Sequence, residues 1–195
     1  MLLPFVEIEI RFGTCVKVDK FDSCIDKKYF YEIKERLDNT KDAFNMVELK
    51  NTIEYIDKNK LKLIEHNKNR KLIMKENVIT KTLKMDSSPF DIRLSVNQEF
   101  NLQSYINSFS KTDTTIRQKA RTSYITNDYR YDLTVVSQTI NNVKKEKYEI
   151  EIEILVNKET LTWSKEYIND FIECKIYDIV NIVEPIERDT FKIKF

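Results

Sequence analysis

Glycine is almost absent from this sequence, with Gly13 as the only one among 195 residues. Loops that bind phosphate through backbone N–H groups need several glycines, so the glycine-rich nucleotide-binding loops are excluded. A phosphate group bound by this protein must therefore be held by side chains. Prolines are also few, and Pro4, Pro89 and Pro185 fix the backbone at only three positions.

Histidine and cysteine are similarly scarce. His66 is the only histidine, and the three cysteines Cys15, Cys24 and Cys174 follow no spacing typical of metal ligands, so we do not expect a zinc site. His66 lies in a segment rich in Lys and Asn, where we expect a solvated turn residue rather than a catalyst. The cysteines are expected to be reduced and to serve as small buried apolar residues.

The sequence also lacks a large net charge and long apolar runs. The 33 Lys and Arg residues nearly balance 32 Asp and Glu residues, which excludes the overall basic field of a general nucleic-acid binder. No secretory leader follows Met1 and no apolar run could span a membrane, so we expect an intracellular protein that is not secreted. The length suits one domain, and no linker or repeat divides residues 1–195.

Strict alternation of apolar and charged residues is the strongest pattern that the sequence does contain. Such alternation predicts strands at 6–12, 91–99, 115–126, 129–140 and 146–156. Shorter β-branched segments predict hairpins between residues 51 and 85, with 71–74 and 78–80 as separate strands. Apolar residues at helical spacing predict helices at 27–38 and 159–181. Gly13 is expected to end the first strand, and 100–114 to form a loop.

The charged residues of each predicted strand share one face, because side chains alternate across a strand. The first and last strands carry carboxylates, namely Glu7, Glu9, Glu149, Glu151 and Glu153. Two other strands carry mainly cations, including Lys119, Arg121 and Arg130. Glutamates about 6 to 7 Å apart on one strand repel each other. A divalent cation would reverse that repulsion, and carboxylates are the ligands that Mg²⁺ or Mn²⁺ prefers.

Two interpretations of these charged faces are open. The strands could face solvent, with the glutamates paired to cross-strand lysines, and this is the better interpretation of a single Glu-x-Glu. The repetition on several strands favours polar faces that point into a barrel. In that case the two amphipathic helices would cover the apolar faces outside.

Four ordered blocks are similar to a known family: Glu7-x-Glu9-x-x-Phe12, Lys119-x-Arg121-x-Ser123-Tyr124, Arg130-x-Asp132-x-Thr134 and Glu149-x-Glu151-x-Glu153. They resemble the metal-dependent RNA triphosphatases of fungi, protozoa and large DNA viruses, which are triphosphate tunnel metalloenzymes. The resemblance covers residues 5–154 in the family's order. It implies an α+β fold that is mainly β, a closed eight-stranded antiparallel β-barrel with a polar interior and flanking helices packed outside.

The resemblance also implies a role for each charged residue. Direct ligands of Mg²⁺ or Mn²⁺ would be Glu7, Glu9 and Glu153. Glu149 and Glu151 would complete the acidic cluster, and Glu99 would orient the attacking water. The phosphates would be held by Lys119, Arg121 and Arg130, positioned by Asp132 and Thr134. Arg70 is the candidate for a further phosphate ligand, with Lys75, Lys81 and Lys84 as alternatives. Arg11 would be either a phosphate contact or an ion-pair partner.

The function implied by the resemblance is hydrolysis of the γ-phosphate of triphosphate-ended RNA, the first step of mRNA capping. Nucleoside triphosphate hydrolysis with manganese is also implied. Two alternatives are open: a tunnel enzyme that hydrolyses tripolyphosphate or thiamine triphosphate, or a barrel that binds polyphosphate or an RNA end without hydrolysis. Tunnel enzymes of the first kind commonly have Glu-x-Glu-x-Lys in the first strand, where this sequence has Arg11.

The same resemblance indicates where and with what the protein works. The expected partners are 5′-triphosphate RNA or a nucleoside triphosphate, together with guanylyltransferase or other capping domains in the same or a separate chain. The expected location is cytoplasmic, in a viral factory or virion, or nuclear. The sequence does not indicate the oligomeric state.

Overall fold

The structure is a computed structural model that describes residues 5–17, 20–85, 88–140, 143–188 and 191. The strands are β1 (Phe5–Lys17), β2 (Lys20–Asp22), β3 (Met46–Ile56), β4 (Leu61–His66), β5 (Asn69–Leu83), β6 (Asp91–Asn101), β7 (Thr115–Ile125), β8 (Tyr129–Ile140) and β9 (Val143–Ile154). The helices are α1 (Lys27–Asn39) and α2 (Lys165–Val183), with short 3-10 helices at Lys41–Ala43, Gln103–Ser108 and Thr160–Thr162.

Eight of these strands close into an antiparallel barrel in the order β1-β6-β5-β4-β3-β7-β8-β9. The barrel closes because β9 pairs back onto β1, with Glu9 opposite Glu153 and Arg11 opposite Glu151. β2 is an additional strand that pairs with the end of β1. The predicted closed eight-stranded antiparallel barrel is confirmed, and its closure brings the first and last charged strands side by side.

The apolar core lies outside the barrel, between the strands and the helices. Alternate residues of β1 and β9, such as Ile10 and Ile152, point away from the barrel interior and are fully buried. The buried face of α1 consists of Phe30, Ile33 and Leu37, and that of α2 includes Ile172, Ile176 and Ile179. Full burial of one such side chain contributes about 1.5–3 kcal/mol. The helices therefore hold the charged faces of these strands inward.

Gly13 does not end the first strand, which continues to Lys17. A Cβ atom at Gly13 would lie 2.1 Å from the backbone oxygen of Asp22, so only glycine lets β2 fold back this closely on β1. The prediction of separate strands at 71–74 and 78–80 is also wrong. Both belong to β5, where a register shift between Asn77 and Ile79 interrupts the alternation.

Other boundaries differ by a few residues. The second helix begins at Lys165 rather than 159, and the predicted loop 100–114 contains the 3-10 helix Gln103–Ser108. His66 ends β4 and is half-buried, so it is not a solvated turn residue. No helix in the described ranges has both the length and the apolar character needed to cross a membrane.

Candidate active site

The barrel interior, here called the lumen, holds the charged faces of the strands. The five glutamates predicted on the acidic strands are only 4 to 7% exposed. They lie with the cationic side chains of β7 and β8 around a lumen that contains a cavity of about 740 Å³. This placement excludes the interpretation in which these glutamates face solvent.

Three of the glutamates form a compact cluster. Glu7 and Glu9 on β1 and Glu153 on β9 each bring one carboxylate oxygen within 4.8 Å of the others. Burial and the charge of Glu9 raise the pKa of Glu7, although Lys75 opposes the shift. Burial and the charge of Glu7 raise the pKa of Glu153 to about 8, although the charge of Arg130 opposes the shift. Burial would raise the pKa of Glu9 too, but the neighbouring cations outweigh it and this pKa is lowered. The set of three carboxylates fits a hard divalent cation such as Mg²⁺ or Mn²⁺.

The remaining two acidic residues are paired with arginines. Arg11 places its Nε 2.8 Å from Glu151 and its Nη2 3.1 Å from Glu9. Burial would raise the pKa of Glu151, but Arg11 and Arg121 outweigh it, and this pKa is lowered. Glu149 lies 2.8 Å from Arg117. Arg11 is therefore an ion-pair partner in this structure, and it also lines the cavity.

A buried aspartate orients two of the predicted phosphate-binding arginines. Asp132 is fully buried and lies 2.7 Å from Nη1 of Arg121 and 3.0 Å from Nε of Arg130. Arg121 Nε also donates to the hydroxyl of Thr134 at 3.1 Å. Arg130 reaches Glu153 at 2.6 Å, so it links the cationic wall to the acidic cluster. Both guanidinium groups are thus held at the lumen before any substrate is bound.

Four charged residues of the lumen were not found from the sequence, namely Lys50, Glu54, Lys62 and Lys71. Glu54 on β3 is buried between Lys119, at 3.1 Å, and Lys62 on β4, at 3.9 Å. Burial lowers the pKa of Lys62 to about 8. The inward-facing residues of β4 and β5 include Ile64 and Ile73, so these strands show no continuous charged face in the sequence.

The predicted residues of β5 and β6 are placed differently from one another. Arg70 is exposed at the rim of the cavity, where its Nε lies 3.2 Å from Glu65. Lys75 instead points into the lumen, where it donates to Glu7 and, at 2.9 Å, to Glu9. Glu99 lines the cavity 2.6 Å from Lys71. The alternatives Lys81 and Lys84 are exposed.

The sequence profile of one family, described as mRNA capping enzyme, beta chain, matches residues 16–182. The chain belongs to this mRNA triphosphatase family. This match confirms the family that the four sequence blocks resemble. It also assigns the chain to the hydrolases of mRNA capping. A search of curated proteins finds no match to the chain.

Solved structures of RNA triphosphatases share the fold. The S. pombe Pct1 RNA triphosphatase in complex with the Spt5 CTD is 17% identical, with a TM-score of 0.71 over 92% of this chain and 82% of that chain. The RNA triphosphatase domain of a trifunctional mimivirus mRNA capping enzyme is 18% identical, with a TM-score of 0.61 over 92% of this chain and 88% of that chain. At these identities the comparisons show a common tunnel fold.

Proposed function

We propose that this RNA triphosphatase holds Mg²⁺ or Mn²⁺ through Glu7, Glu9 and Glu153 and hydrolyses the γ-phosphate of triphosphate-ended RNA. The products are inorganic phosphate and a diphosphate end. One observation carries the proposal: a buried carboxylate cluster and a cationic wall line the same cavity of about 740 Å³. Simple anion binding would gain nothing from that carboxylate cluster, which argues against a barrel that only binds polyphosphate.

The cationic side chains are arranged to hold the phosphates. When bound, a divalent cation would neutralise negative charge on the transferred phosphate. Lys119, Arg121 and Arg130 supply further donors, and Asp132 fixes the orientation of the two arginines. Donors that are positioned before the reaction stabilise developing charge without a cost of reorganisation.

Phosphoryl transfer needs an in-line water and little covalent chemistry from the protein. Glu99 is the proposed acceptor of a hydrogen bond from that water, since its carboxylate lines the cavity and is held by Lys71. Lys62 and Lys75 are proposed as the basic residues of β4 and β5 that complete the phosphate site. Arg70, at the exposed rim, is proposed to contact the substrate outside the lumen.

The experiment that tests this proposal compares γ-phosphate release from triphosphate-ended RNA with release from tripolyphosphate, both in Mg²⁺. We expect the RNA to be hydrolysed with the higher kcat/KM, and Glu9→Ala to abolish release from it. Glu35→Ala, which removes an exposed carboxylate of α1, is the matched control and should be fully active. A preference for tripolyphosphate would assign the chain to the other tunnel enzymes, and full activity of Glu9→Ala would overturn the metal site.

The proposal extends to nucleoside triphosphate hydrolysis in Mn²⁺ and to work with a guanylyltransferase in the cytoplasm, in a viral factory or virion, or in the nucleus. Two observations support a capping partner: the family is described as a chain of the mRNA capping enzyme, and the mimivirus relative is a domain of a trifunctional capping enzyme. A guanylyltransferase added to the reaction should cap the RNA product. Failure to cap RNA that has lost its γ-phosphate would contradict this part.

A further inference from the structure

The lumen opens at one end of the barrel through a ring of side chains that we call the Phe5 mouth. Its members are inward-facing residues near this end of six strands, and all of them line the cavity: Phe5, Lys50, His66, Lys71, Asn101 and Arg130. Three are cationic at neutral pH and one is an aromatic ring. Phe5 is separated by a single residue from Glu7, so the mouth adjoins the acidic cluster.

The other end of the lumen is filled by ion pairs and by β2. Arg11 pairs with Glu151, and Arg117 pairs with Glu149 at 2.8 Å. Beyond them, the guanidinium of Arg93 lies 4.9 Å from the centre of the ring of Phe21 on β2. On β1, Arg11 is the innermost described residue that lines the cavity. A triphosphate therefore reaches the acidic cluster from the Phe5 mouth.

Phe5 is an unusual residue for this position. It is 52% exposed although it lies on the inward, otherwise charged face of β1. Among the described residues, no other aromatic ring packs against it. Proteins that bind single-stranded nucleic acid combine cationic side chains with exposed rings on which bases stack. Lys50 and Lys71 supply the cations here.

The spacing along β1 suits a nucleotide. Phe5 lies four positions before Glu9, which is about 13 Å of extended strand. That length accommodates phosphate groups and a ribose between the acidic cluster and the phenyl ring. With the γ-phosphate beside Glu9 and Glu153, the first base of the RNA would lie at the mouth.

We propose that the RNA enters and leaves through the Phe5 mouth and that its first nucleobase stacks on the ring of Phe5. This proposal rests on the proposed function, because it places the substrate of that same site. It also gives the enzyme a basis for preferring RNA to inorganic polyphosphate, since tripolyphosphate has no base to stack.

The test measures hydrolysis of a triphosphate-ended RNA oligonucleotide in Mg²⁺ by the wild type and by Phe5→Ala, Phe5→Leu and Phe5→Trp. Tripolyphosphate is added as a competitor, and its inhibition constant reports the phosphate site alone. We expect Phe5→Ala and Phe5→Leu to raise the KM for RNA about tenfold and to change the inhibition constant less than twofold. Phe5→Trp should restore the wild-type KM, because it restores a ring. Tyr31→Ala, which removes a 47% exposed ring on α1 outside the barrel, is the matched control and should leave KM unchanged.

Each outcome bears on a different claim. An unchanged RNA KM in Phe5→Ala, or equal losses for RNA and tripolyphosphate, would overturn stacking at the mouth. A Phe5→Leu variant with the wild-type KM would show that apolar contact suffices, which also overturns stacking. If the wild type releases no phosphate from RNA, the proposed function fails instead, and the Phe5 variants play no part in that result.

Discussion

Replacing Glu153 by Gln tests the acidic cluster because stability and activity should change in opposite directions. The amide keeps the shape of the side chain and is neutral at every pH, whereas the carboxylate must either ionise beside Glu7 and Glu9 or take up a proton. Two full charges 4.8 Å apart repel by about 3 kcal/mol at an effective dielectric constant of about 20. Arg130, 2.6 Å from Glu153, offsets part of this repulsion. Because the pKa of Glu153 is nevertheless raised, burial and repulsion outweigh that attraction.

We therefore expect Glu153→Gln to stabilise the metal-free protein by about 1–3 kcal/mol. In a protein of this size each kcal/mol raises Tm by about 2–4 °C. Activity should fall more than about 100-fold, since the loss of residues that merely support metal ligands already costs about 10- to 100-fold. Divalent metal at 100 times its Kd should stabilise the wild type by about 2.7 kcal/mol and the variant by much less.

Thermal unfolding in EDTA and in Mg²⁺, together with γ-phosphate release from RNA, measures these effects. Glu35→Gln, on the exposed face of α1, should change neither quantity. A Glu153→Gln protein that is less stable without metal would show that the ion pair with Arg130 outweighs burial and repulsion, which contradicts the reasoning. A variant with wild-type turnover would remove Glu153 from the metal site.

Three further predictions concern the fold and the phosphate site. Gly13→Ala should destabilise the protein by about 1–3 kcal/mol in urea unfolding, because its methyl group meets the backbone of Asp22; an unchanged midpoint would contradict the close approach of β2. The KM for triphosphate RNA should rise as the pH passes about 8, where Lys62 loses its charge, and Lys62→Arg should flatten that rise. The same rise in both proteins would exclude Lys62 as its cause. Asp132→Asn should cost about 3–5 kcal/mol of stability, because two arginines would lose a buried partner. A Tm equal to that of the wild type would show that these pairs contribute little.

The strongly alternating strands could be predicted from the sequence because long runs of inward residues on their charged faces are polar. In β1 and β9 the period of two is unbroken from Glu7 to Arg11 and from Glu149 to Glu153, which fixes both faces. The cluster of Glu7, Glu9 and Glu153 follows once the barrel closes. The closure itself depended on the resemblance, since strand pairing between chain ends leaves no local pattern.

The strands β3 to β5 were less predictable for identifiable reasons. The bulge after Asn77 shifts the register of β5 and makes one strand look like two. A shift of one residue exchanges the two faces of a strand, so Arg70 and Lys71 could not be distinguished as outward and inward from spacing alone. The apolar Ile64 on the inward face of β4 further hid the role of Lys62.

The central claim is that the acidic and basic faces of the lumen hold a divalent ion against the terminal phosphate. The most direct test follows the label of γ-³²P triphosphate RNA while Mg²⁺ is added to protein freed of metal with EDTA. The account predicts that inorganic phosphate appears only after Mg²⁺ is added and that the RNA keeps two phosphates. Phosphate release in EDTA, or release of the label as pyrophosphate, would contradict it.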